Sequence, residues 1–419
     1  MQLNLPKEFT DYTSRLFGEQ RWLEFLGSFG QEAPASVRYN PFKSVAEVPG
    51  GERVPWCKDA YWLKERPKFT LDPLLHAGVY YVQEAGSMFL DKVLRRYVST
   101  PVCMLDLCAA PGGKSTLARA ALPEGSLLMT NEPDRHRANI LMENMQKQGH
   151  RDVYVTNNYA KDFRTSKIMF DVILTDVPCS GEGMFRRDEG AIREWSLQNV
   201  RKCAEQQRSI VGEIWHCLRP GGLIIYSTCT FNLQENEENV RWIAEELGAD
   251  ILPVETSPEW GITGSLLTGF DAPVYRFIPG VTRSEGLFMC VMRKHGEAQP
   301  CRRPVEKQLK RLHILSDGKP QGEKKGKDII PSHAEALLAP LSGREKEDGM
   351  DGYPVVELSL DAALRYLHRE AIILPEGTPK GYVLVTYKGH QLGFVKNLGN
   401  RANNLYPKEW AIRNLNSLT

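Results

Sequence analysis

The chain has 419 residues, 42% hydrophobic and 25% charged, with a formal net charge of +1. That length exceeds one ordinary core, so two or three domains are expected. The near-neutral balance excludes a global basic field, and any polyanion would have to be held by a local patch. No apolar run approaches the roughly 20 residues of a membrane-spanning helix. The N-terminal MQLNLPKEFTDYTSRL lacks the basic-then-apolar pattern of a secretory signal. A monomeric cytoplasmic protein with no membrane contact is therefore expected. Nine cysteines without a CxxC pair are too sparse for a disulfide scaffold, which implies reduced, mostly buried thiols. That reading is applied to Cys57, Cys103, Cys203, Cys217, Cys290 and Cys301, while Cys108, Cys179 and Cys229 follow strand-like runs and need separate treatment.

In chain order, the first hundred residues combine an amphipathic helix, EFTDYTSRLFGEQRWLEFLGSF, with short strands and Pro-rich turns. From about Val102 strands and helices alternate. VCMLDLCAA is a strand entering a Gly-rich loop and KSTLARAAL a helix, then come the strand SLLMTNE and the helix DRHRANILMENMQKQG. VYVTN, FDVILTD and LIIYSTC are further strands, with a long helix around Val200 to Leu218 before the last. This alternation predicts an α/β fold built on a parallel, doubly wound sheet. Tyr275–Phe277 and Gly286–Arg293 read as a final antiparallel pair. The polar, basic run from Arg293, RKHGEAQPCRRPVEKQLKRLHILSDGKPQGEKKGKD, reads as a solvated linker or a flexible arm for phosphates. After about Gly352 compact strands and Gly turns return.

The loop LDLCAAPGGKST admits two devices. As a P-loop it supplies Gly113, Lys114 and Ser115, but the first glycine of that motif falls on Cys108, whose Cβ obstructs the phosphate cradle. As an S-adenosylmethionine loop it places the small residues Ala109, Ala110, Gly112 and Gly113 where backbone must approach a cofactor beyond the strand ends. Glu132 after the second strand then suits the ribose hydroxyls, and Asn158 after the third suits the adenine amine, with Asn157 as its rival.

Asp176 and Cys179 follow the fourth strand and Cys229 the fifth. With both strands expected beside the first, the three side chains converge. A metal site of Cys108, Cys179 and Cys229 lacks paired spacing and a plausible histidine, and a redox pair lacks CxxC. A methyl donor, a carboxylate and a thiol do suit cytosine carbon 5, which is too poor a nucleophile to react unaided. A thiolate adding to carbon 6 makes carbon 5 an enamine carbon. An acid of raised pKa holds N3, and the carbon 5 proton then leaves so that the thiol can be eliminated.

These blocks, LDLCAAPGGKST, TDVPCSGEGMFRRD and YSTCTFNLQENEENV, resemble the Nop/Sun family of RNA cytosine-5 methyltransferases. SVRYNPFK, LDPLLHAGVYYVQEAGSM and GFVKNLGNRANNLYPKEWAIR extend the likeness, and the stretch 296–350 carries least of it. The resemblance implies Cys229 as nucleophile, Cys179 as the residue assisting release, and Asp176 at N3. It implies S-adenosylmethionine contacts from Cys108, Ala109, Ala110, Pro111, Gly112, Gly113, Lys114, Glu132, Asn158 and Asp176. Where the family carries an acid after the third strand, this chain has Asn158. The domains implied are 1–98, a small α+β RNA-binding or accessory segment; 99–295, a Rossmann-like methyltransferase domain; 296–350, a linker and the start of the C-terminal region; and 351–419, a PUA-like RNA-binding β-barrel. RNA is the implied partner, 16S ribosomal RNA or the small subunit first and tRNA second, with a ribosome-assembly factor of little turnover as the non-enzymatic alternative. Lys396, Asn397, Arg401, Asn403, Asn404, Tyr406 and Trp410 read either as RNA contacts or as a barrel wall with a satisfied Asn turn.

Overall fold

The computed structural model describes residues 5–43, 51–326, 328–338 and 352–413. Its centre is a sheet of five parallel strands: β1 (Cys103–Asp106), β2 (Leu127–Asn131), β3 (Val153–Thr156), β4 (Phe170–Asp176) and β5 (Leu218–Thr228). They lie in the spatial order 3-2-1-4-5. β1 and β2 are buried at every position, as near-continuous apolar runs require when helices cover both faces. The crossovers include α1 (Gly113–Ala121), α2 (Arg135–Gln148), α3 (Ala160–Ser166) and α4 (Leu197–Trp215). Local chemistry fixes their ends. Asp134 caps α2 by accepting from Arg137 N, Gly149 closes it with φ at 79°, and Ser196 caps α4. The strand order corrects one expectation: β5 neighbours β4, not β1.

β6 (Ala249–Ile251), β7 (Tyr275–Phe277) and β8 (Leu287–Lys294) complete one side of the sheet. β8 runs antiparallel to β5 and carries β6 and β7 along its outer edge, so the expected antiparallel pair is present as β7–β8. On the other side β9 (Ile314–Ser316) pairs antiparallel with β3. This corrects the reading of the whole basic run as a solvated linker. β9 covers an edge that would otherwise expose unpaired backbone, and Leu312 just before it is buried in the core. Residues 339–350 of the expected linker lie outside the described residues.

The N-terminal helical stretch forms two helices, Lys7–Phe17 and Glu19–Ser28, because Gly18 between them has φ at 75°. Phe9, Phe17 and Phe25 of these helices pack against Phe185, Trp195 and Phe231. The N-terminal segment is thus bolted to the two loops that follow β4 and β5. A four-stranded antiparallel sheet completes it. The C-terminal unit holds a second four-stranded sheet and the helix Leu360–Leu367, and shares a core with Ala77 and Val79 of the N-terminal segment.

Candidate active site

Pairing sets the site. β4 and β5 run in parallel register with Asp176 opposite Ser227, and Ser227 Oγ donates to Asp176 Oδ1 at 2.7 Å. Beyond that pair the strands become loops, and Cys179 Sγ meets Cys229 Sγ at 3.1 Å. Neither thiol is in a disulfide. The hydrogen bond to Cys229, with burial next, pushes the Cys179 thiol well above its ordinary range. Lys114, at the start of α1, donates to the other Asp176 oxygen at 2.8 Å. Burial pulls the Lys114 ammonium down, but the Asp176 charge and hydrogen bond outweigh it and leave it raised. The three side chains expected to converge therefore do so, with Lys114 as a fourth.

Sequence reasoning missed the polar floor below the thiols. Glu235 Oε2 accepts from Ser180 N at 3.0 Å and Gln207 Nε2 at 2.7 Å, while Oε1 accepts from Ser180 Oγ and Asn232 Nδ2. Burial pushes Glu235 up to about 7 against those bonds. Glu182 accepts from Phe231 N, Asn232 N and Trp195 Nε1. Each carboxylate joins the Cys179 loop to the Cys229 loop. Arg276, with Glu237, forms a fully buried ion pair and donates to Phe231 O at 2.7 Å. The signal was in QENEEN after Cys229, where six consecutive polar residues could have been read as a buried network rather than a solvated helix start.

The Gly-rich loop turns from β1 into α1. Ala109 N donates to Asn131 O, while Arg137 Nη2 and Asn144 Nδ2 hold the Ala110 and Pro111 carbonyls. Gly112 has φ at 115°, which favours glycine, and a Cβ there would press at 3.3 Å on the Asn144 and Leu141 side chains. Cys108 is partly buried, and burial pushes its thiol up, which suits packing. No group of three or more His, Cys, Asp or Glu side chains is placed to hold a metal among the described residues. Two buried carboxylate oxygens lack hydrogen-bond partners at neighbouring strand ends, Asp106 Oδ1 and Glu132 Oε2; Arg137 lies 3.5 Å from the latter. A ligand bearing hydroxyl and amine donors fits such acceptors.

Asn158 sits at the third-strand position, but its amide is already engaged. Oδ1 accepts from His313 N at 2.9 Å and Nδ2 donates to His313 O at 3.1 Å. Asn157, its rival, donates from Nδ2 to the carbonyls of Glu132 and Pro133. In the C-terminal block Asn397, Asn404 and Tyr406 take structural roles. Asn397 holds the Thr378 and Pro379 carbonyls, Asn404 holds those of Tyr366 and Glu370, and Tyr406 is buried beside Tyr366 and His333. Arg401 and Asn403 stay exposed. Lys396 lies over Tyr382, and Trp410 stacks against Lys147. Among the other cysteines, Cys301 is exposed and Cys203 half-buried, which departs from the expectation of buried thiols. No helix among the described residues is long and apolar enough to cross a membrane.

Residues 99–293 match the family model described as 16S rRNA methyltransferase RsmB/F. Residues 5–85 match the N-terminal domain of 16S rRNA methyltransferase RsmF, and 353–412 the methyltransferase RsmF PUA domain. The chain is 30% identical to ribosomal RNA small subunit methyltransferase F of Enterobacter sp. (strain 638) over 404 residues, 85% of this chain and 83% of that protein. It is 32% identical to the Pectobacterium atrosepticum protein of the same name over 318 residues, 72% of this chain but only 65% of that protein's length. A solved methyltransferase homolog from Pyrococcus horikoshii matches with a TM-score of 0.60 at 25% identity, covering 70% of this chain and 96% of that one. The fold is that of a Rossmann-like methyltransferase with an N-terminal domain and a C-terminal PUA domain, and the chain belongs to the RsmF family of 16S ribosomal RNA methyltransferases.

Proposed function

We propose that this chain methylates carbon 5 of a cytosine in 16S ribosomal RNA, through a covalent adduct with Cys229 and with S-adenosylmethionine as donor. The observation that carries the reading is the 3.1 Å approach of Cys179 and Cys229 beside Asp176. The donor, when bound, supplies an electrophilic methyl group. Residues Cys108 to Lys114 would hold its methionine part, Glu132 its ribose hydroxyls, and Asp176 the border between donor and base.

The two thiols take different roles. Cys179, pushed up by its bond to Cys229 and by burial, stays a thiol in contact with the Cys229 sulfur. A thiolate is the form of Cys229 that attacks. The Cys229 sulfur bonds to carbon 6 as N3 takes a proton from water, and the Asp176 carboxylate, held by Lys114 and Ser227, accepts from that N3–H. Carbon 5 then takes the methyl group. Once Cys229 is bonded to carbon 6, the Cys179 thiol passes its own proton to water as it receives the carbon 5 proton. The carbon 6–sulfur bond breaks and returns the Cys229 thiolate. The target base must also leave any stack, at a cost of a few kcal/mol, which a loop or junction site lowers.

The test uses labelled donor with 16S ribosomal RNA, small subunits and tRNA. Cys229→Ala should abolish transfer. Cys179→Ala should accumulate an RNA–protein adduct that survives denaturation. Full activity in Cys229→Ala would sink the nucleophile assignment, and no adduct in Cys179→Ala would sink the release role. Transfer confined to tRNA would move the substrate, and donor binding without transfer to any RNA would favour an assembly role.

A further inference from the structure

The segment between the methyltransferase and PUA domains is anchored at the amino-terminal end of the strands and climbs to their carboxyl end, where the donor is proposed to bind. Arg303 donates to Gly125 O at 2.8 Å, Gln308 Nε2 to Lys167 O at 2.6 Å, and Arg311 Nη1 to Thr165 O at 2.7 Å. Leu312 is buried in the core beside Phe163, and β9 then pairs with β3. At the top of this run lies the His313 peptide, held at three points. Asn157 N donates to His313 O at 3.0 Å, Asn158 Nδ2 donates to the same oxygen, and Asn158 Oδ1 accepts from His313 N. The His313 ring is exposed, 3.4 Å from Arg135 at the start of α2.

The same stitching continues inward. Asn131 Nδ2 donates to Leu107 O at 3.0 Å and Asn158 O at 2.9 Å, while its Oδ1 accepts from Asn158 N. The Asn157 amide ties down Glu132 and Pro133. Amide side chains thus join the ends of β1, β2 and β3 to residue 313 in one chain of hydrogen bonds. An amide is required at 158 because it donates and accepts at once, whereas a carboxylate only accepts and would face the His313 carbonyl with like polarity.

We infer that residues 303–316 are a strap whose His313 end forms one wall of the donor site, and that Asn158 is a positioning residue acting through the His313 peptide instead of touching the adenine. The inference rests on the donor reading above. It accounts for an amide where the family resemblance implies an acid, and it makes the strap part of the methyltransferase domain.

The test measures S-adenosylmethionine affinity by calorimetry and amide hydrogen exchange over residues 309–316, both on the full chain. Donor binding should slow exchange at 312–316. Asn158→Ala, which loses both hydrogen bonds to His313, and Asn158→Asp, which loses one and sets a carboxylate against the His313 carbonyl, should each speed that exchange and weaken donor affinity about tenfold, raising KM for donor more than they lower kcat. A double variant of the exposed anchors, Gln308→Ala with Arg311→Ala, leaves Asn158 intact and should weaken donor binding in the same direction. Wild-type donor affinity in Asn158→Asp overturns the inference, as does faster strap exchange with unchanged affinity. A wild-type chain that binds no donor overturns the donor reading together with it, whereas variant results on a donor-binding wild type bear on the strap alone.

Discussion

Gly183→Ala probes the packing that brings the thiols together. A Cβ on Gly183 would lie 2.8 Å from Gly286 Cα and 2.9 Å from both the Cys229 and Gly286 carbonyl oxygens. Carbon atoms rest about 3.5–4.0 Å apart, so the two loops must separate by roughly 0.7 Å or more. Nothing flexible is available to yield, because the atoms in the way are backbone. Gly183 N also donates to Cys229 O at 2.9 Å, and this bond would be strained with the rest. Overpacking of this kind costs about 1–3 kcal/mol of stability, and a displacement near 1 Å at reacting groups costs on the order of 100-fold in rate. Single-turnover methyl transfer should therefore fall by about 10- to 100-fold, with the denaturation midpoint lowered and donor affinity nearly unchanged. A variant that transfers methyl at the wild-type rate would refute the idea that Gly183–Gly286 contact sets the Cys229 position.

Lys114→Met should slow methyl transfer at least about tenfold by removing a charge-assisted partner of Asp176, checked in single-turnover assays with donor saturating. Arg276→Ala leaves Glu237 buried without its counter-ion and should cost about 3–5 kcal/mol in urea denaturation; a loss below 1 kcal/mol would contradict a desolvated pair. Burial raises Glu235 from 4.5 to about 7, so the folded state holds a proton that the unfolded chain releases between those values. Its stabilising contribution is present below pH 4.5 and lost as pH rises through about 7, an effect of about 3 kcal/mol in full. Asp106, raised to about 7 chiefly by burial, acts in the same sense, so Glu235→Gln should reduce the slope of stability between pH 5 and 7 without abolishing it. His76 and His333, pulled down to about 4 and about 3, chiefly by burial, act oppositely. Their contribution is present above pH 6.5 and is lost as pH falls through those values, so denaturation midpoints should drop again in acid.

The parallel core was legible because each strand is a buried apolar run and each helix carries its own stop or cap, as in Asp134 with Gly149. The strand-end residues were legible for the same reason: where the run stops, chemistry begins. Other features lay beyond local pattern. Strand β9 is three residues in a basic, Pro-punctuated stretch, and only the open edge of β3 makes it a strand. Asn158 reads as a ligand-facing amide until its partner, 155 residues away in sequence, is known. Asn397, Asn404 and Tyr406 have the composition of an RNA contact, yet backbone carbonyls and a buried aromatic cluster use them. Polar side chains report chemistry only after the fold has shown which of them are already satisfied.

Register explains why a carboxylate and two thiols come from separate motifs yet share one site. Asp176 pairs with Ser227, so Cys179 lies three residues beyond that rung on one strand and Cys229 two residues beyond on the other. Parallel strands leave a sheet on the same side, and side chains just past a shared rung are thrown together without a local turn to place them. The network of Glu182, Glu235, Asn232 and Gln207 then holds the two loops at that separation. A one-residue slip in the β4–β5 register would turn one thiol away from the other. The 3.1 Å sulfur contact is therefore set by sheet pairing and fixed by buried hydrogen bonds, and Phe9, Phe17 and Phe25 back it through Phe185 and Phe231. Loss of the N-terminal helices should for that reason reduce methyl transfer even on substrates that do not depend on them for RNA binding.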